Sequence, residues 1–141
     1  MCGREKLKVN KIKVGDRLLG EGEPTFIVAE IGVNHNGSIK IAKKLIDAAK
    51  DVGSDAVKFQ AFKTERIVTK YAEKAGYQKE TTDPQKSQYD MLKKLELEPE
   101  EVRELQAYAK KRSIVFLSSA FDDESVDLLD SLDVPALKVA S

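Results

Sequence analysis

Cysteine is nearly absent from this chain of 141 residues. Cys2 is the only one, so there is no disulfide framework and no thiolate metal cluster. An excess of either charge is missing as well. Lys plus Arg number 24 and Asp plus Glu number 24, which leaves no global field to draw the chain to nucleic acid or to an acidic membrane surface. Long apolar runs are also lacking, and no stretch approaches the roughly 18 residues of a membrane span. The opening MCGREKLKVNKIKVGDR is charged and has no apolar region of the signal-peptide kind, so a cytoplasmic location is expected. Histidine occurs once, as His35 between Asn34 and Asn36. Metal sites need three or four ligands, so His35 is expected to lie at the surface or to order its loop. What remains, 41% apolar and 34% charged residues, describes a globular protein with enough chain for one ordinary core.

The apolar pattern then sets the elements. LKVNKIKVGDRLLG (7–20) alternates around Val14-Gly15-Asp16, which predicts a hairpin. GEGEP (20–24) has no following helix and no Lys-Ser or Lys-Thr pair, so it is expected to be a turn and not a phosphate loop. FIVAEI (26–31) is a continuous apolar run, the pattern of a strand covered on both faces. Gly37 and Ser38 open a helix reaching about Val52, with Ile41, Leu45, Ala48 and Val52 as its expected inward stripe. AVKFQ (56–60), IVFLSS (114–119) and ALKVAS (136–141) are the next strands. Between the second and third lies a polar stretch, about 61–86, of a length usually reserved for functional or mobile loops. Its KTERIVTK (63–70) is expected to be a solvated rim. An amphipathic SQYDMLKKLEL closes that stretch, and a helix opened by Pro99 turns Val102, Leu105 and Ala109 inward. Asp122 and Asp123 are expected to cap a last helix built on Val126, Leu129 and Leu132.

Strands alternating with helices demand a parallel sheet, either doubly wound or part of a (β/α)8 barrel. A complete barrel needs about 250 residues. Four strands, the last reaching Ser141 with no helix after it, are half of one, which suggests a truncated polypeptide. Each strand ends in polar side chains: Glu30; Lys58 and Gln60; Ser118 and Ser119; Lys138 and Ser141. In parallel α/β folds these ends share one rim, where ligands bind. Any single strand-end polar group often merely meets solvent, but four in succession favour a ligand site. Two lysines supply point charge and the hydroxyls supply short donors, a set suited to a small phosphorylated anion. Glu30 beside them is available for proton transfer or for stabilising positive charge.

The pieces IVAEIGVNHNGS, AVKFQAFKTE, IVFLSSAFD and VPALKVAS, in this order and spacing, resemble the sialic acid synthase family. IKVGDRLLGEGEP resembles the hairpin that caps the bottom of that family's barrel. The resemblance implies residues 1–25 as tail and hairpin, and 26–141 as the first four strands of a TIM-type (β/α)8 barrel. It implies condensation of phosphoenolpyruvate with an N-acylated hexosamine, giving a nonulosonic acid and phosphate, assisted by a divalent metal, manganese by expectation. Carried over by position, Lys58, Ser119, Lys138 and Ser141 would hold phosphoenolpyruvate, Gln60 would contact substrate, and Glu30 would be catalytic. Ser118-Ser119-Ala120-Phe121 departs from the family's Ser-Thr-Pro-Phe; the hydroxyl stays and the proline is lost. The family's metal histidines belong to later strands, so none is expected here, and this chain alone is expected to be inactive. Full length, a homodimer acting on small molecules is implied. KAGYQKETT…SQYDMLKKLEL (74–97) looks more like the N-acetylneuraminate and legionaminate branch than the pseudaminate one. Two alternatives remain beside it: a Schiff-base aldolase using Lys138 or Lys58, and a non-catalytic fragment with a partial anion site.

Overall fold

The computed structural model describes residues 10–70 and 87–140. Strands β1 (Ile12–Val14) and β2 (Arg17–Leu19) pair antiparallel with Val14 opposite Arg17. Gly15 and Asp16 are therefore the two-residue turn, and Gly15 takes the positive φ of 59° that such turns require. The hairpin is where the alternation put it, although residues 7–9 lie outside the described residues. GEGEP is a turn, with the Glu23 N–H donating to the Gly20 carbonyl at 3.1 Å.

Four parallel strands follow: β3 (Val28–Gly32), β4 (Ala56–Ala61), β5 (Val115–Ala120) and β6 (Leu137–Val139), adjacent in that order. Between them run α1 (Ile39–Asp51), α2 (Thr64–Ile67), α3 (Gln88–Lys93), α4 (Pro99–Lys111) and α5 (Asp123–Ser131). The first strand begins two residues later than its apolar run. The last is three residues long, and its expected end at Ser141 lies outside the described residues. Helix starts are capped locally. Ser38 accepts from the Ile41 N–H at 3.4 Å, and Asp122 from the Ser125 N–H at 2.8 Å. Asp123 is the first helical residue, not a second cap.

One sheet face carries the main core. Val57, Phe59 and Ala61 of β4 and Phe116 of β5 meet Ala42, Ile46 and Ala49 of α1, Val102, Leu105 and Ala109 of α4, and Leu129 of α5. The α4 stripe is as expected. The α1 stripe is not: Ile41, Ala48 and Val52 are exposed and Leu45 is only half-buried. The helix is rotated by one residue, because the small Ala42 and Ala49 flanking Ile46 let it approach the sheet closely. Two adjacent apolar rows exist on this helix, and period alone does not choose between them. Val126 is likewise exposed, and Ser125 is buried in its place.

The opposite face is divided along the strands. Near their amino-terminal ends Val14 of the hairpin packs with Ala56 and Leu117, joined by Leu19, Phe26, Val115 and Ala136. Near their carboxyl ends this face is polar and open. Helices on one face only, with the hairpin under the other, match a barrel wall and not a doubly wound sheet. Among the described residues no helix is long and apolar enough to cross a membrane.

Candidate active site

Register decides which side chains meet. Paired residues of neighbouring strands point to the same face. Glu30 pairs with Lys58, and Lys58 with Leu117, which makes one row across the sheet. Gln60 pairs with Ser119, and Ser119 with Lys138, which makes the next row towards the strand ends. Both rows lie on the face away from the helices, because the intervening Val57, Phe59 and Ala61 belong to the main core. Leu117 in the lower row closes the hairpin cluster. The site therefore begins one residue above a dry floor.

The side chains converge on an open cleft of about 410 Å3 lined by Glu30, Gly32, Val33, Asn34, Lys58, Gln60, Ser119, Phe121 and Lys138. Lys58 forms an ion pair with Glu30, and its ammonium donates to Ser119 Oγ at 3.5 Å. Lys138 Nζ donates to the Val139 carbonyl at 3.3 Å. Two cations, one carboxylate, two amides and one hydroxyl thus face a space large enough for a small anion. Ser141 lies outside the described residues. Ser118 pairs with Phe59 and so points to the helix side, where it is buried and donates to the Ser119 carbonyl at 3.2 Å.

Gly32, Val33, Asn34 and Phe121 had no role assigned from sequence. Gly32 holds φ at 54° where the β3 register slips past Glu30. A Cβ there would sit 3.3 Å from Glu30 Oε1 and 3.6 Å from Gln60 Nε2, so glycine both turns the chain and leaves the carboxylate room. The signal for it was a glycine directly after an apolar run with an embedded carboxylate. Nothing comparable marks Phe121.

Two sequence expectations beside the cleft are corrected. His35 is not at the surface. It is fully buried, and its Nδ1 accepts from the Gly37 N–H at 3.0 Å, so the loop-ordering alternative is what the structure shows. Burial lowers the pKa of the ring, with the Glu101 charge pulling the other way. KTERIVTK is not wholly a solvated rim either. Thr64 is fully buried, and it donates to Glu96 Oε2 through its N–H at 2.9 Å and its hydroxyl at 2.7 Å. Lys63 and Lys93 each reach Glu96 Oε1 at 3.1 Å. The Lys63 N–H donates to Asp122 Oδ2 at 2.6 Å, which ties the exit of β4 to the start of α5. Among the described residues no three His, Cys, Asp or Glu side chains come together as metal ligands would.

Comparison with known proteins places this geometry in a lineage. Residues 45–141 match the model of the NeuB family. The chain is 47% identical over 134 residues to an N,N'-diacetyllegionaminic acid synthase of Legionella pneumophila, covering 95% of this chain and 36% of that protein. It is 50% identical over 117 residues to the enzyme of the same name from Campylobacter jejuni, covering 83% of this chain and 35% of that one. Among solved structures, the N-acetylneuraminic acid synthetase of Leptospira borgpetersenii, a complex with citrate, superposes with a TM-score of 0.74 at 28% identity, covering 92% of this chain and 41% of that one. The chain spans about a third of the length of the curated relatives it matches.

Proposed function

This chain belongs to the NeuB family, and from that premise we propose that the whole protein condenses phosphoenolpyruvate with an open-chain N-acylated hexosamine. The products are a nonulosonic acid and phosphate. The methylene carbon of phosphoenolpyruvate bonds to the sugar's aldehyde carbon, whose oxygen takes up a proton. Positive charge develops on the enol carbon, water adds there, and the carbon–oxygen bond to phosphate breaks.

The observation that carries this reading is the pair of register rows, which puts Glu30, Lys58, Gln60, Ser119 and Lys138 around one cleft. Lys58, Ser119 and Lys138 hold the anionic end, with Ser141 as a further donor. Gln60 contacts substrate as a neutral amide. Glu30 faces the carbon on which positive charge develops, or takes the proton of the entering water. A divalent metal, manganese by family resemblance, belongs to the same proposal, but the described residues do not fit one. As the sugar, N-acetylmannosamine and a 2,4-diacetamido-trideoxy hexose both qualify, and the names of the two legionaminic acid synthases support the second. A cytoplasmic homodimer acting on small molecules completes the reading.

The test is phosphate release by the whole protein, given manganese, phosphoenolpyruvate and each sugar in turn. Release is expected only when a sugar is present, and more strongly with the diacetamido sugar. Borohydride trapping of a covalent adduct on Lys58 or Lys138 would favour the aldolase instead.

A further inference from the structure

We propose that His35 is a positioning residue for the cleft: its buried ring pins the loop that presents Val33 and Asn34 to the ligand. Three successive turns make that loop. The Asn34 N–H donates to the Ile31 carbonyl at 3.0 Å, Asn36 to Val33 at 3.0 Å, and Ser38 to His35 at 2.9 Å. Val33 and Asn34 line the cleft. The next side chain, His35, goes the other way, with its ring 6.1 Å from Phe59, which stacks on Phe116 at 5.3 Å.

Leucine or phenylalanine would fill that space without cost in polarity, so the choice of imidazole needs a reason. Nδ1 accepts from the Gly37 N–H, which places the neutral ring's proton on Nε2. Nε2 is buried and has no partner, and an unmet buried donor is costly. What offsets that cost is the bond to Gly37. Only glycine fits there, since a Cβ would lie 2.2 Å from the Lys94 carbonyl oxygen. Asn36 and Gly37 both hold positive φ, 50° and 72°, a wound conformation that needs an internal tie. Rigid supporting shells of this kind keep binding groups in productive geometry.

Protonation removes the tie, because imidazolium has no acceptor. Glu101 on α4 favours the charged ring, Phe59 and Phe116 on the sheet offer it nothing, and burial outweighs Glu101, so the ring titrates below 6.5. The tie is complete above that pH and is lost as pH falls below it towards the lowered value.

This role rests on the function proposed above only for the identity of the ligand. The experiment uses the 141-residue chain, in which a 15N-histidine label reports His35 alone because it is the only histidine. The neutral ring is expected to carry its proton on Nε2 at pH 7. His35→Leu should speed hydrogen exchange at the Gly37 amide at least about tenfold, one loss of a hydrogen bond, and shift the Asn34 side-chain resonances. His35→Asn keeps an acceptor near the Nδ1 position and should restore part of the Gly37 protection. In the whole protein, phosphoenolpyruvate binding should weaken in His35→Leu and recover in His35→Asn. In the unmutated chain, Asn34 and Gly37 should change with the same pH midpoint as the ring, which decides the matter even where His35→Leu does not fold. A proton on Nδ1, or Gly37 and Asn34 signals indifferent to the ring, overturns the positioning role. Loop signals that behave as expected in the chain, with a whole protein indifferent to phosphoenolpyruvate, support the role and overturn the ligand.

Discussion

Glu30→Gln is expected to separate affinity from turnover, moving them in opposite directions. Without ligand, Glu30 holds Lys58 in an ion pair. An arriving phosphate or carboxylate must take over that cation and meets the like charge of Glu30 as it does so. Glutamine keeps the size and hydrogen bonding and removes the charge. Two unit charges 4 Å apart interact by about 1 kcal/mol in water-like surroundings and by about 4 kcal/mol at an effective dielectric constant of 20. The Glu30 side chain is 52% exposed, so the screened end applies, and relief of about 1 kcal/mol means roughly fivefold tighter phosphoenolpyruvate binding. Turnover by the whole protein should meanwhile fall by about two or more orders of magnitude, the usual scale of a general acid–base group. Calorimetric titration with phosphoenolpyruvate and phosphate release at saturation measure the two sides. Affinity falling together with turnover would make Glu30 a substrate ligand, and near-normal turnover would leave it only a partner for Lys58. Either result refutes the reasoning.

The lysines should behave differently. Lys58→Ala and Lys138→Ala each remove a charge-assisted contact worth about 1.5 to 3 kcal/mol, so phosphoenolpyruvate binding should weaken roughly ten- to a hundredfold, with the sugar affected less; unchanged phosphoenolpyruvate saturation in both would end the anion assignment. Away from the cleft, Glu96→Ala strands the buried Thr64 donors, while Lys63 and Lys93 keep Glu98 and Glu65, and should cost about 1 to 3 kcal/mol in urea unfolding of the chain. Burial opposes the Glu96 charge, but the Thr64 and lysine donors outweigh it and hold its pKa below the usual 4.5. Its stabilisation is therefore complete above that pH and drains away below it, and Glu96→Gln should flatten this part of the acid-unfolding curve.

Element order, the α4 stripe and the strand-end residues were legible because each rests on a local pattern. Lys58 and Gln60 are two apart on one strand, so their common face follows from the period of two. The Glu30–Lys58 contact does not follow from any local pattern. It depends on the β3–β4 register, which is set by long-range packing, and a slip of one residue would have turned the whole set to the helices. Ser118 and Ser119 show the same limit, since adjacent hydroxyls must face opposite ways and only register says which one meets the cleft. The α1 stripe was misjudged because alanine flanks carry little hydrophobic signal yet permit the closest approach. Glu96 read as one charge among many, and its buried clamp on Thr64 joins residues 32 apart.

The same ion pair bears on how one carboxylate can serve both rest and reaction. Lys58 has a side chain only 15% exposed, and a cation in that position is costly without a partner. Glu30, whose side chain is about half exposed in this chain, supplies one. In the proposed reaction, an anionic substrate that takes over Lys58 would leave Glu30 without its cation, beside the carbon on which positive charge develops. The carboxylate would then gain its new partner only as the reaction proceeds, an interaction stronger in the transition state than in the ground state, and such a difference is what accelerates a chemical step. Gly32 leaves the carboxylate room for such an exchange of partners, since a Cβ there would stand 3.3 Å from Glu30 Oε1.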